Sequence, residues 1–411
     1  MKKLLAWSDS ACTATGFGTV SRHVLSALHA SGEFQIEQIG INHHCEFYNQ
    51  QEVPWQIHPA KYFDPKDPFG RSLFLKIFRE REYDFVWILN DWQILCSVLK
   101  EINNIKNNKI KLSEKYPKII FYFPIDTELA EENDVFFDVF DKVVLYCDFG
   151  FKQILKMSPM AKEKLSIINH GVDFSYMRRL PAEERRQIRQ NLFDINSDET
   201  FLILNVNRNT LRKQLPLTIL AYHEFRKFIT DSKLYLHTSF YDSLSGINLS
   251  AATRQLGLST TNEVIYPVGF DISNPAAREQ LNQIYNAADC FLTTSLGEGW
   301  GLTHTDAMAV YLPVIAPDNT CFPEQLDCGS RGFIYPCKSK VWVDGGGYRP
   351  YPEVKDIVSK LLEVHELKKN LRINKLDITS APQIKAARDY VADLSWDKIC
   401  GQWLELFRSL L

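Results

Sequence analysis

The sequence predicts an α/β fold made of two Rossmann-like halves. Three observations carry this. The chain has 411 residues, more than one core usually organises, so two domains are expected. Its residues are 45% hydrophobic and 12% aromatic, enough to fill two cores. Short β-branched and aromatic runs recur with helix-like stretches between them, the pattern of parallel sheets covered by helices.

In chain order, the first half offers strands at "KLLAWSD", "IEQIGIN", "FVWILND", "KIIFYFPID", "KVVLYCD" and "LSIINHG". The segment "DFSYMRRLPAEERRQIRQNLFDINSDET" follows. Its Pro181 suits the first turn of a helix, and its Glu and Arg residues read as a solvated, charged linker. The second half repeats the strand pattern at "FLILNVNR", "KLYLHTSF", "EVIYPVGF", "CFLTTS", "PVIAPD" and "GFIYPC". "YPCKSKVWVDGGGYRPYPEV", with its run of glycines and its prolines, reads as a long surface loop. "SWDKICGQWLELFRSLL" has apolar residues at helical spacing and Ser395 as N-cap, so a closing helix is expected. The divisions are 1–175 for the first domain, 176–197 for the linker, 198–390 for the second domain and 391–411 for the closing helix.

Charge and cysteine usage narrow the function. With 47 Lys+Arg against 50 Asp+Glu the net charge is −3, which argues against a protein devoted to neutralising nucleic-acid phosphates. The nine cysteines include no C-x-x-C pair, and no secretory segment precedes them. Reduced thiols in a cytoplasmic protein are expected. His43, His44 and Cys45 are adjacent, which is poor metal-ligand spacing, and a loop at a strand end is the better reading. No apolar run approaches the roughly 20 residues that span a bilayer. Peripheral membrane contact is left open, and the basic stretch 101–118 reads as a solvated helix end and loop.

In parallel α/β sheets ligands bind beyond the carboxyl ends of strands, so residues just after each strand are examined first. After the first strand, Gly16, Phe17 and Gly18 form a tight turn into a helix whose free N–H groups suit an anion. A packing turn is the plain alternative. Arg208 and Lys213 stand five residues apart after another strand; a guanidinium fork and an ammonium together suit a diphosphate. "TTSLGEGWGLTHTDAMAVYLPVIAPD" places Glu298 among glycines ahead of a helix expected from about Thr303, with Asp306 near its first turn. Asp306 suits either a cap or a ligand. Two carboxylates around a Gly-rich turn can hold several hydroxyls at once, as a sugar and a ribose offer. Asp126 and His170 also follow strands, with a core or capping role as the alternative. There is no D-x-D triplet, the acidic pair by which many sugar-nucleotide enzymes hold a divalent cation.

"TGFGTVSRHVL", "INHGVD", the Arg208 and Lys213 spacing, "IYNAADCFLTTSLGEGWGLTHTDAMA" and "LPVIAPD" together resemble the retaining glycosyltransferases of the GT-B fold, over nearly the whole chain. That resemblance implies two Rossmann-like domains facing across a cleft, with the C-terminal helix packing back on the first. It implies a hexosyltransferase that binds a nucleoside diphosphate sugar on the second domain and an acceptor on the first. Glu298 matches the first acid of the group's E-x7-E motif, expected on sugar hydroxyls. Asp306 stands where the second Glu holds the ribose, one methylene shorter. The resemblance places Gly299, Trp300, Gly301, Leu302 and Thr303 at the sugar and distal phosphate, and Val268, Gly269 and Phe270 at the base. Arg208, Lys213 and the Gly16 to Gly18 amides would stabilise the departing diphosphate without metal or cofactor. Asp126 stands where many relatives carry a histidine. The implied donor is a UDP-sugar before a GDP-sugar. A glycan, a lipid-linked sugar, a small molecule and a modified nucleobase are all open as acceptor, and the oligomeric state is not readable. Rival readings are an epimerase or phosphorylase of the same fold and a sugar-nucleotide-binding subunit without turnover.

Overall fold

The computed structural model describes residues 1–43, 48–107, 116–129, 137–241, 247–267, 277–343 and 347–411. The first half forms β1 (Lys2–Asp9), β2 (Phe34–Ile41), β3 (Gln56–Pro59), β4 (Phe85–Leu89), β5 (Lys118–Phe123), β6 (Lys142–Leu145) and β7 (Leu165–Ile167). The second forms β8 (Phe201–Val206), β9 (Ser232–His237), β10 (Val264–Ile265), β11 (Cys290–Leu292), β12 (Val314–Pro317) and β13 (Phe333–Tyr335). These make two separate sheets, ordered β3-β2-β1-β4-β5-β6-β7 and β10-β9-β8-β11-β12-β13.

Every pairing described within those sheets is parallel. Central strands are apolar on both faces, as β4 (FVWIL) and β8 (FLILNV) are, because helices cover both sides. In each sheet the order runs outward, returns to the first strand and continues on its other side. That reversal, between β1 and β4 and again between β8 and β11, opens a crevice above the strand ends. The fold is therefore GT-B, two Rossmann-like sheets whose carboxyl ends face one cleft.

Three sequence expectations change. β3 is a short, half-polar edge strand on β2 with too little apolar alternation to be legible. The expected surface loop near residue 340 is instead an antiparallel hairpin of β14 (Ser339–Val343) and β15 (Gly347–Tyr351). The expected solvated linker holds a helix, Ala182–Phe193, but Ile188, Arg189 and Phe193 are buried. Arg189 is drawn in because it donates to the Ala287 and Thr200 carbonyls at 2.7 and 2.5 Å and to Asp289 at 2.9 Å.

The closing helix, Trp396–Ser409, packs on the first half. Ser395 caps it by accepting from the Lys398 N–H. Trp403 lies edge-on to Trp87, and Phe407 meets Phe34 and Phe85 at ring distances of 5.3 and 5.2 Å. Its Cys400 thiol lies 3.4 Å from the His23 carbonyl of the helix Gly16–Ala30. The last residues of the chain thus complete the first core.

Candidate active site

The loops after β8 and β11 meet at the switch point of the second sheet, and they carry Arg212, Lys213 and Glu298. After β8 the chain makes a 3-10 turn, Leu211–Lys213, before the helix Leu215–Arg226. After β11 it runs through Thr293–Gly301 into the helix Leu302–Ala309. Thr294 stitches the two loops together by donating to the Lys213 and Gln214 carbonyls at 3.0 and 2.9 Å.

Glu298 lies between the two cations that end the first loop. Its carboxylate pairs with the Lys213 ammonium and, at 3.0 Å, with the Arg212 guanidinium. Only 7% of Glu298 is exposed. Burial alone would raise its pKa, but Arg212 and Lys213 beside it hold the carboxyl far below its ordinary range. Glu298 is therefore an anion throughout the neutral range, and its N–H is fixed by donation to Thr320 at 3.0 Å.

Arg212 also reaches the first half, where its Nε sits 3.2 Å from Asp126 Oδ2. The other Asp126 oxygen takes Arg349 Nη2 at 3.0 Å, and the Asp126 carbonyl takes Arg349 Nη1 at 2.5 Å. Arg349, 7% exposed, comes from β15 of the hairpin. Asp126 is thus gripped by two guanidinium groups from the second half.

The glycines around Glu298 have a steric cause. A Cβ on Gly297 would fall 2.0 Å from the Asp126 carbonyl oxygen, and one on Gly299 would fall 2.5 Å from Pro124 Cβ. Gly301 has φ +83° at the helix start, where a Cβ would strike His304. The run lets first-half backbone approach the Glu298 loop closely and turns it into the helix.

Among the remaining residues singled out by sequence, positions differ. Gly16 faces the second half, with Leu302 Cδ1 3.7 Å from where its Cβ would be, and Phe17 is half-buried against the first core. Gly18 does not offer a free donor. Its N–H goes to the capping Thr15 hydroxyl at 3.0 Å, and a Cβ there would collide with Thr13. Arg208 is exposed and lies near enough to Asp9 to act on its charge. Asp9 is buried, accepts from Thr15 at 2.5 Å and Asn42 at 3.2 Å, and is raised by that burial. Trp300 is 2% exposed and points inward toward His170, while its carbonyl accepts from Cys321 and Gln325.

Asp306 is not a cap. The helix starts at Leu302 with Gly301 as N-cap, so Asp306 lies one turn inside. It is half-buried, and burial, followed by the Asp173 carboxylate, pushes it up to about 7. The Thr303 carbonyl accepts from Tyr285 at 2.9 Å. His170 is an interior group, within 2.7 Å of the Tyr122 hydroxyl and pushed down to about 3 by burial, so it is neutral. Val268, Gly269 and Phe270 lie outside the described residues, as do His44 and Cys45. His43 is buried, and no cluster of three or more metal-ligating side chains occurs among the described residues.

Sequence reasoning missed Arg212 and Arg349. Arg212 stood beside Lys213 and was overshadowed by the Arg208 spacing. Arg349 lies more than 200 residues from its partner Asp126, and nothing local marks it.

The comparisons with known proteins agree with this fold. Residues 269–344 match the family model described as glycosyl transferases group 1. No curated protein matches the sequence. A glycosyltransferase from Rickettsia africae superposes with a TM-score of 0.70 at 15% identity, covering 100% of this chain and 98% of that one. Sucrose-phosphate synthase from Thermosynechococcus elongatus gives 0.69 at 14% identity, covering 100% and 99%. Anabaena HepE, solved with UDP and glucose, gives 0.68 at 14% identity over 100% of both chains. Residues 269–344 are thus similar to the glycosyl transferases group 1, and the fold around them is the GT-B fold of these structures.

Proposed function

We propose that the chain is a retaining, metal-independent transferase that moves a hexose from a UDP-sugar to an acceptor hydroxyl. The observation that carries this reading is the buried Glu298 carboxylate, held between Arg212 and Lys213 where the loops after β8 and β11 meet at the cleft. The site brings an acceptor of hydroxyl hydrogens and cations for a diphosphate together from two loops. The complex of HepE with UDP and glucose supports a uridine nucleotide as donor.

In this reading Glu298 accepts hydrogen bonds from sugar hydroxyls, and Asp306 takes the ribose. Breaking the anomeric bond leaves negative charge on the diphosphate. Lys213, Arg208 from the open side, and the amides of Gly16 and Phe17 stabilise it. Fixed charges in a site that excludes water act strongly and need no reorganisation. The acceptor oxygen attacks from the face the diphosphate leaves, and a departing phosphate oxygen takes its proton, so configuration is retained. Asp126, fixed by Arg212 and Arg349, positions the acceptor side.

Val268, Gly269 and Phe270 are proposed to hold the base, and the backbone from Gly299 to Thr303 the sugar and distal phosphate. Acceptor binding is assigned to the first domain, residues 1–175, and donor binding to the second, 198–390. No helix among the described residues is long and apolar enough to cross a membrane. The eight cysteines among them are free thiols, which supports a cytoplasmic setting.

The test is thermal unfolding with nucleoside diphosphates and nucleotide sugars in the presence of EDTA. A ligand at about 100 times its Kd adds about 2.7 kcal/mol, a shift of a few degrees. A selective shift with uridine nucleotides that survives EDTA is expected. A shift that requires a divalent cation removes the metal-independent mechanism, and no shift with any nucleotide removes the donor site. Release of nucleoside diphosphate from the donor without any acceptor hydroxyl favours an epimerase instead.

A further inference from the structure

At the opposite end of the second sheet from the cleft, a cavity of about 400 Å³ opens beside the starts of β8 and β11. The helices Ala182–Phe193 and Val354–Ile373 form its sides. Because all strands of this sheet are parallel, their starts lie far from the loops that carry Glu298 and Lys213. The sugar-transfer reading leaves this cavity unexplained.

Its lining is strongly cationic in a chain whose net charge is −3. Five arginines and three lysines face it against four carboxylates, Asp198, Glu199, Asp289 and Asp377. Those acids are shared. Asp377 serves Arg179 at 3.0 Å and Arg185 at 3.4 Å, and Asp289 serves Arg189 at 2.9 Å and Lys368. Asp198 and Glu199 meet Arg186 and Arg372 in exposed pairs, which hold little against water or a competing anion. Arg185 Nε is buried without a hydrogen-bond partner. Burial, and then the like charge of Arg179, pushes Arg185 below its ordinary value, and burial pushes Lys368 below its own despite the Asp289 carboxylate beside it. If these cations served only to tie the helices to the sheet, one acid for each would suffice. Counting also Glu183, 3.2 Å from Arg186, and Glu366, 3.7 Å from Lys369, both in exposed pairs, the eight cations still outnumber six acids by two, and the cavity is within the size range of small-molecule sites. Guanidinium forks in this density match phosphate oxygens better than they match single carboxylates.

We propose that this cavity binds a small ligand carrying at least two phosphate groups, at a site separate from the sugar-transfer cleft. The ligand would lie between the two helices, with the arginines on its phosphates and Lys369 and Lys375 at the rim.

Inorganic pyrophosphate is the probe, and the Lys213→Ala protein is the background, so that binding in the cleft is already weakened. Pyrophosphate is expected to raise Tm by a few degrees in that background, beyond sodium sulfate at equal ionic strength. Adding Lys369→Glu and Lys375→Glu, both exposed and so tolerated by the fold, is expected to abolish the shift while leaving Tm without pyrophosphate nearly unchanged. A shift that survives the two charge reversals, one matched by sulfate, or none in the Lys213→Ala background overturns the proposal. The outcome is independent of whether uridine nucleotides bind the cleft, so the two readings stand or fall separately.

Discussion

Glu298 and Asp289 flank the same short strand, β11, and each is a buried carboxylate held between two cations. Asp289, before the strand, has Arg189 and Lys368; Glu298, after it, has Arg212 and Lys213. Both are held below their ordinary pKa by those neighbours despite burial, Asp289 to about 2. What separates them is where the remaining bonds go. Asp289 also takes the Leu202 N–H at 2.7 Å, and Arg189 donates to two backbone carbonyls, so that cluster knits a helix to the sheet. Around Glu298, Arg212 turns outward to Asp126 of the other half, and Lys213 stands at the cleft. Burial and pairing therefore do not by themselves mark a functional acid. The direction of the unused valences does.

This contrast can be broken most directly at Asp289. Asp289→Ala leaves the buried Arg189 and the half-buried Lys368 without their anion and is expected to cost about 3 kcal/mol, since removing one partner strands the other's charge. Urea unfolding measures it, and a variant as stable as the parent would erase the distinction between the two ends of β11. Lys213→Ala is expected to act the other way. Arg212 still compensates Glu298, so the fold holds, while turnover falls by about 10²–10³ through loss of one stabilising charge. Steady-state rates and Tm on the same preparation separate the two effects, and a large drop in Tm with rates scaling to it would assign Lys213 to the fold.

The smallest effect concerns Asp306 and sharpens the comparison, because burial and then the Asp173 carboxylate, with no cation to offset them, raise this acid to about 7 from 3.8. The unfolded chain releases its proton first, so wild-type stability from this group is full below pH 3.8 and declines as pH rises to about 7. Asp306→Asn removes that decline, so its advantage over the wild type should grow across the interval and level off above it. Unfolding at a series of pH values tests this, and a difference that is flat with pH would mean the carboxyl is ionised in the folded protein well below neutrality.

Much of the architecture was legible. All twelve strand runs named from sequence appear as strands of the two parallel sheets, because apolar β-branched runs bounded by polar turns have few other ways to be buried. The Ser395 cap and the closing helix follow from equally local chemistry. β3 and the hairpin were not legible, since short half-polar segments form strands only when a neighbour supplies the ladder. Gly18 was misread as a free donor because Thr15 capping depends on the turn's geometry, which Gly-x-Gly spacing does not disclose.

For the site, the sequence by itself determined that charged loops follow β8 and β11 and that glycines surround Glu298, since those features depend on residues a few positions apart. Only the tertiary structure decided that Arg212 and not Arg208 joins Lys213 on Glu298, and that Arg349 holds Asp126. The physical reason is that strand order places β8 beside β11 and faces one sheet toward the other, and ion pairs depend on which loops meet there, across 85 residues for Lys213 with Glu298 and 223 for Arg349 with Asp126.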